Sequence, residues 1–299
     1  MLFVSVVIPV KKISNYLRKE TIPALLRQSY QNFEIIILPD RPTKEKFTKT
    51  KIIPTWSKIG PADKRNIGAQ KAKGKVLAFI DDDAYPNKDW LKNAIAIFKT
   101  SNERALASDH ASSVKRSISV VCGPGVTPPN DSLLAQVSGW MWASFLGSGG
   151  AGQYRCWSGL RREVDDFPTF NLIIKKSDFK KVGGFDSRFW PGEDTKLCHD
   201  LVYKLGKKII YDPKVLVYHH RRKIIIPHLK QIGRYGLHRG FFVKILPKTS
   251  KRIGYFLPLL FTAGVLLGPV VYLLSFILKF FLLAKIIAII YLSVIGIYF

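Results

Sequence analysis

Cysteine is scarce in this chain, and so is negative charge. Three cysteines, Cys122, Cys156 and Cys198, are spread over 299 residues. Their odd number and wide spacing build neither a disulfide framework nor a paired metal site, so each reads as a small core residue in a reducing compartment. Acidic residues number 21 against 47 Lys and Arg, a formal net charge of +26. Such a charge suits nucleic acid, anionic lipid or a phosphorylated substrate. No helix-turn-helix pattern, zinc-finger spacing or RNA-binding aromatic motif accompanies it, which speaks against nucleic acid. The glycine-rich stretch 147–152 is not closed by Gly-Lys-Ser/Thr, so it is no P-loop and reads as backbone that covers a substrate. Residues 1–10 are apolar but lack a basic run before them and a small-residue cleavage site after them. They read as a buried strand, not a signal peptide.

What the chain has is an alternating first third and a hydrocarbon tail. Short β-branched runs at 3–9, 33–38, 52–53 and 75–80 alternate with helical spacing at 16–28, 61–72 and 89–98. This predicts an α/β, doubly wound, largely parallel sheet, whose ligands bind beyond the carboxyl ends of the strands. A strand at 118–122, an aromatic helix around Trp140 and Trp142, and regular structure at 170–174, 203–210 and 215–218 follow. Residues 225–252 read as a basic amphipathic helix on a membrane surface, with Lys230, Arg234 and His238 on one face and Leu229, Ile232, Gly236 and Val243 on another. Residues 255–278 are long enough to span a bilayer, with Pro258 and Pro269 as kinks; 280–299 is a second candidate span, weakened by Lys285. The expected division is 1–224 catalytic, 225–252 interfacial and 253–299 transmembrane, as one helix or a hairpin. The basic residues before the tail place the catalytic part on the cytoplasmic side, facing anionic lipid.

Carboxylates mark the chemistry. Asp81-Asp82-Asp83 stands at the end of the strand 76–80. Three such groups repel one another unless a cation joins them, and oxygen ligands suit Mg²⁺ or Mn²⁺. An acidic triplet alone is more often a polar loop. His219-His220 ends another strand, and a neutral imidazole there completes a metal site or is merely exposed. Glu193-Asp194 precedes a helix, as a general base or as a cap. Lys64-Arg65-Asn66 opens the helix after Pro61, as an anion site or as a solvated basic face. Asp40 follows the second strand, as a partner for a base's imide or as a turn residue.

Together these pieces resemble the family 2 glycosyltransferases, whose nucleotide-binding half has the so-called GT-A fold. Val4-Ser5-Val6-Val7-Ile8-Pro9 is similar to the family's first strand, and Asn32 to Asp40 to the second. Lys64-Arg65-Asn66-Ile67-Gly68 resembles the helix near the diphosphate. Phe79-Ile80-Asp81-Asp82-Asp83 is similar to the Asp-x-Asp metal motif. Val182-Gly183-Gly184-Phe185-Asp186 and Gly192-Glu193-Asp194 resemble the acceptor-side motif. Gln231-Ile232-Gly233-Arg234-Tyr235 is similar to the Gln-x-x-Arg-Trp motif of membrane-bound polysaccharide synthases, with Tyr for Trp. Pro39 stands where the family often has an acid, and Lys11-Lys12 where it often has an aromatic or Asn.

The resemblance implies a GT-A-like mixed sheet and an inverting, metal-dependent glycosyltransferase. Mn²⁺ or Mg²⁺ would sit on Asp81, Asp83 and His219. A nucleotide-sugar donor, UDP-sugar first, would bind at Pro9, Asp40, Arg65, Asp81 and Asp82. Asp194, with Glu193, would act as the base. Gln231, Arg234 and Tyr235 would meet the acceptor and diphosphate. The expected acceptor is a lipid-linked saccharide or polysaccharide hydroxyl, in cell-envelope or exopolysaccharide synthesis at a bacterial or archaeal inner or plasma membrane. A polyprenyl-phosphate glycosyltransferase, a nucleotidyltransferase and a non-catalytic basic membrane-binding module are the alternatives.

Overall fold

The structure, a computed structural model, describes residues 1–106, 116–156 and 159–298; Phe299, the end of the second candidate span, lies outside the described residues. Valine and isoleucine stiffen the early strands and fit a pleated interior. The first is β1 (Val4–Pro9), and β2 (Phe33–Leu38), β3 (Thr50–Ile52) and β4 (Val76–Ile80) follow. These four are parallel neighbours, with Val4 opposite both Phe33 and Val76, so their carboxyl ends share one edge. Every residue of β1 and β4 is buried, which is the signature of a sheet covered on both faces.

Beyond β4 the chain departs from a parallel plan. The later strands are β5 (Ala84–Pro86), β6 (Ile118–Cys122), β7 (Gly125–Val126), β8 (Arg162–Val164), β9 (Asn171–Lys175), β10 (Lys208–Tyr211) and β11 (Val217–His219). The main sheet runs β3-β2-β1-β4-β9-β6-β10-β8, and β5, β11 and β7 form a second, smaller sheet. β9 inserts antiparallel between β4 and β6, and β8 lies antiparallel on β10. The sheet is therefore mixed, as the family resemblance implies, and not the largely parallel one that alternation alone predicts. Periodicity could not report this, because a buried antiparallel strand and a buried parallel one have the same apolar pattern.

The helices are α1 (Ile22–Leu26), α2 (Pro61–Lys71), α3 (Trp90–Leu106), α4 (Leu133–Ala143), α5 (Phe145–Ser148), α6 (Lys176–Lys181), α7 (Glu193–His199), α8 (Ile226–Ile245), α9 (Pro247–Ser250), α10 (Leu257–Ile277) and α11 (Phe281–Tyr298). The glycine-rich stretch 147–152 is not an open loop: α5 and a 3-10 turn, Ala151–Tyr154, take it up. All three cysteines are buried and free.

α10 and α11 lie antiparallel, with Phe276 against Phe281 at 5.6 Å between ring centroids and the Tyr291 hydroxyl donating to the Val265 carbonyl at 3.3 Å. Leu259–Ile277, of mean hydropathy 2.1, is by length and composition the one helix among the described residues able to cross a membrane; the apolar stretch Phe281–Ser293 is shorter. Pro258 sits in the first turn of α10, where a missing N–H costs little, so of the two expected kinks only Pro269 lies inside the helix.

The faces of α8 also differ from expectation. Ile232, Gly236, His238 and Val243 turn inward to a cavity. The outward face is not purely basic: Leu229, Leu237, Phe241 and Ile245 are exposed between Lys230, Arg234 and Lys244. Wheel positions alone cannot decide which apolar stripe meets protein when a helix carries two.

Candidate functional site

The metal-ligating residues expected from sequence come together. Asp81, Asp83 and His219 offer ligand atoms within 4.8 Å of one another. Strand register explains how residues so distant in sequence meet. β11 pairs antiparallel with β5 so that His219 lies opposite Ala84, one residue past Asp83. The imidazole Nε2 is 3.2 Å from Asp83 Oδ1, and its ring stacks on Phe170. The triplet itself is a turn, closed by Ala84 N–H donating to the Asp81 carbonyl at 3.2 Å. Asp82 stands apart from the group of Asp81, Asp83 and His219. Burial, with Asp83 and Asp81 beside it, pushes the Asp82 carboxyl up to about 6. Burial also pushes Asp83 upward, but His219 outweighs it and holds that carboxyl below its ordinary value. Mutually repelling carboxylates with an imidazole suit a divalent cation, and the mixed oxygen and nitrogen donors accept Mn²⁺ as readily as Mg²⁺.

The opening of α2 is not a solvated basic face. Lys64 and Arg65 are both buried. Lys64 Nζ bonds the Val10 carbonyl and the Asp40 carboxylate, so one oxygen of Asp40 is taken before any base arrives. Pro9 and Asp40 lie by the carboxyl ends of β1 and β2. Arg65 forks between Asp81 Oδ1 at 2.8 Å and Glu193 Oε1 at 3.0 Å, so its charge bridges two acids instead of standing free for an anion. Asn66 exchanges two hydrogen bonds with the backbone of Phe185. Arg65 and Asn66 thus clamp Asp81 to Glu193 and to the turn at Phe185. Replacing Arg65 by Met should leave Asp81 and the buried Glu193 uncompensated. Breaking a buried ion pair costs about 3–5 kcal/mol, so the unfolding midpoint in denaturant should fall clearly, and a null shift would show the fork to be dispensable.

Glu193 and Asp194 open α7. Glu193 is fully engaged, with Arg65 on one oxygen and the Gly192 N–H donating to the other at 3.0 Å. Asp194 Oδ1 accepts the Thr195 N–H at 2.8 Å. Burial raises the carboxyls of both; Asp194 adds to the rise at Glu193 and Asp166 to that at Asp194, against the pull of Arg65 and Arg155 respectively. The glycine before them has a reason. At Gly192 φ is +149°, and a Cβ there would lie 2.1 Å from Phe242 Cε2. Only glycine lets α8 press directly on the turn that aims these acids.

Asp81, Arg65, Glu193, Asp194 and His219 line one cavity of about 580 Å³. Part of its remaining wall comes from α4, α8 and the entry to α10, through Trp142, Gln231, Tyr235, Phe242, Tyr255 and Leu259. Gln231 Nε2 donates to the Tyr235 hydroxyl at 3.3 Å. Arg234 is a correction: it is exposed and absent from that wall, because it lies about 100° around the helix from Tyr235. Three arginines unforeseen from sequence stand in the cavity instead. Arg155 covers the Trp142 and Tyr235 rings at 4.9 and 4.7 Å. Arg239 pairs with Asp166 at 3.1 Å. Arg221 donates to the Gly125 carbonyl and keeps a buried Nε without a partner. Of the three, only Arg221 stands in a basic run, Arg221-Arg222-Lys223, which marks a boundary as readily as a site.

Comparison with known proteins agrees with this fold. Residues 5–112 match glycosyl transferase family 2. A pre-mycofactocin glycosyltransferase of Mycobacterium tuberculosis is 25% identical over 59% of this chain, which spans only 33% of that protein. A dolichyl N-acetyl-alpha-D-glucosaminyl phosphate 3-beta-D-2,3-diacetamido-2,3-dideoxy-beta-D-glucuronosyltransferase of Methanococcus voltae is 24% identical over 82% of this chain and 75% of its own. In fold, the chain resembles a mannosyltransferase of Pyrobaculum calidifontis solved with GDP-Man and Mn²⁺, at a TM-score of 0.54 and 18% identity over 86% of this chain and 67% of that one. It also resembles TarS of S. aureus, at 0.51 and 16% identity over 81% and 66%.

Proposed function

We propose that this chain, whose residues 5–112 match glycosyl transferase family 2, is an inverting, metal-dependent enzyme. It transfers a sugar from a nucleotide-sugar, UDP-sugar first, to a hydroxyl of a lipid-linked saccharide. The observation that carries this reading is the convergence of Asp81, Asp83 and His219, of which Asp81 and His219 line a cavity whose wall also holds Asp194. Those three residues would hold Mn²⁺ or Mg²⁺, which when bound supplies positive charge for the departing diphosphate. Asp194 accepts the proton of the acceptor hydroxyl. The hydroxyl oxygen then bonds the anomeric carbon on the face opposite the leaving nucleoside diphosphate, which departs with the electron pair of the broken bond. Glu193 orients Arg65 and the turn at Gly192. Tyr235, with Gln231 on its hydroxyl, offers a ring to the acceptor sugar.

The lipid-linked acceptor rests on two supports. The Methanococcus voltae relative carries a dolichyl phosphate sugar in its name, and the cavity reaches the entry of α10 at Phe256 and Leu259. On this reading residues 1–224 are catalytic, 225–252 interfacial and 253–299 membrane-borne, with the catalytic part in the cytoplasm against anionic lipid. A hydroxyl acceptor needs a base and an ionised phosphate does not, which favours this reading over a polyprenyl phosphate acceptor.

The test is a screen of UDP-, GDP- and dTDP-sugars against polyprenyl-linked saccharides, with Mn²⁺ or Mg²⁺, reading the anomer formed. A retained anomer, or transfer undiminished in excess EDTA, would overturn the mechanism. The cavity arginines add a sharper contrast. A hydrogen bond to a charged group is worth about 1.5–3 kcal/mol, so Arg239→Ala should lower transfer about 10-fold or more. Arg234→Ala, on the exposed face, should leave it within about twofold.

A further inference from the structure

The segment 132–154 contains no Asp, Glu, Lys, Arg or His, in a chain in which 23% of residues are charged. Its helix, α4, is turned the unusual way round. At 100° per residue, Leu133, Val137, Trp140 and Met141 share one stripe, with Leu134 at its margin. A helix of a globular domain buries such a stripe. Here Leu133 is 67% exposed, Leu134 46% and Trp140 60%, while Ala135, Ser138, Gly139 and Trp142 are the buried positions. The exposed ring of Phe145 extends the patch into α5.

Two neighbours say what covers it. The Ile224 N–H donates to the Leu134 carbonyl at 2.9 Å, which lays residues 222–226 along α4. There Ile225 and Ile226 are both 62% exposed, beside the exposed Arg222 and Lys223. On the other side, a Cβ at Gly254 would lie 2.3 Å from the Gly149 carbonyl oxygen, so the turn after α5 touches the segment leading into α10. An uncharged apolar patch rimmed by cations and continuous with an apolar helix of membrane-crossing length fits lipid better than a protein partner.

We propose that the outward stripe of α4, with Ile225 and Ile226, is a second membrane contact, seated at the headgroup–acyl boundary of an anionic bilayer. This rests on the membrane placement of α10. The opposite side of α4 carries Trp142, which meets Tyr235 at 6.1 Å and lines the cavity. α4 is then a wall one helix thick, about 10 Å, between lipid and the acceptor site.

The test uses the full chain in vesicles of phosphatidylcholine and phosphatidylglycerol carrying lipid brominated high on the acyl chain. The emission lost on Trp140→Phe, taken as wild type minus variant, should be quenched by the bromolipid and shielded from aqueous iodide. Leu133→Trp in the Trp140→Phe background should restore a bromolipid-quenched signal. Iodide quenching without bromolipid quenching, in a chain that still resists carbonate extraction, would overturn the α4 contact and leave α10 standing. Release of the wild-type chain by carbonate would overturn both.

Discussion

Asp83→Asn should abolish transfer and uncouple nucleotide binding from Mn²⁺ or Mg²⁺ while the protein stays folded. The carboxylate sits 3.2 Å from His219 and within the ligand group formed with Asp81. The amide keeps the size of the side chain but loses the charge and one acceptor oxygen. Even changes one shell beyond a metal cost about 10–100-fold in affinity or activity, and removing a charged ligand should cost more. Titration of a UDP-sugar in the presence and absence of metal, beside turnover, reads the effect directly. A variant that binds donor with unchanged metal dependence would show that this cluster is not the metal site. The same variant bears on the fold, since Asp83 also takes the His220 N–H on its backbone carbonyl at 3.0 Å, a bond the substitution leaves alone.

Asp194→Asn should lower turnover by about 10²–10⁴-fold with little change in donor affinity, the range for a positioned general base. Its pH signature follows from its surroundings. Burial, then Asp166, raises the Asp194 carboxyl, and Arg155 opposes them. A raised pKa favours the neutral acid, so the base is lost as pH falls through a value above the ordinary carboxylate range of about 4. The acid limb of kcat/KM should therefore lie above that range. Asp166→Asn removes one of the charges that raise it, so it should shift the limb to lower pH. A limb that ignores Asp166, or donor binding that falls as far as turnover in Asp194→Asn, would make Asp194 a structural residue.

The legible and illegible parts of the molecule differ in range. β1, β2, β4 and α2 are written in contiguous residues, as β-branched runs and a proline at the first turn, and their boundaries agree with expectation to within a residue or so. The meeting of Asp81, Asp83 and His219 was legible because they stand beside strand ends, where sheets place chemistry. The fork of Arg65 was not, since nothing local tells a buried arginine from a surface one. Arg155, Arg221 and Arg239 escaped for the same reason: the cavity draws its wall from segments far apart in sequence, and only packing unites them. Arg234 was misplaced by trusting a motif position over helix geometry. The outward stripe of α4 was visible as an aromatic helix, but its direction depends on what α8 and α10 leave uncovered.

The shared wall of the cavity also imposes an order on biosynthesis. A chain made from its amino terminus completes the sheet, the ligand group and the acids of α7 before Gln231, Tyr235, Phe242 and Leu259 have been synthesised. A nascent molecule can thus fold the sheet and its acids while the cavity is still missing a side. The pocket closes only once Phe242 reaches Gly192 and α10 finds its place. On the proposed membrane placement of α10, a molecule that has not inserted would carry the acids of α7 without the wall that Leu259 completes.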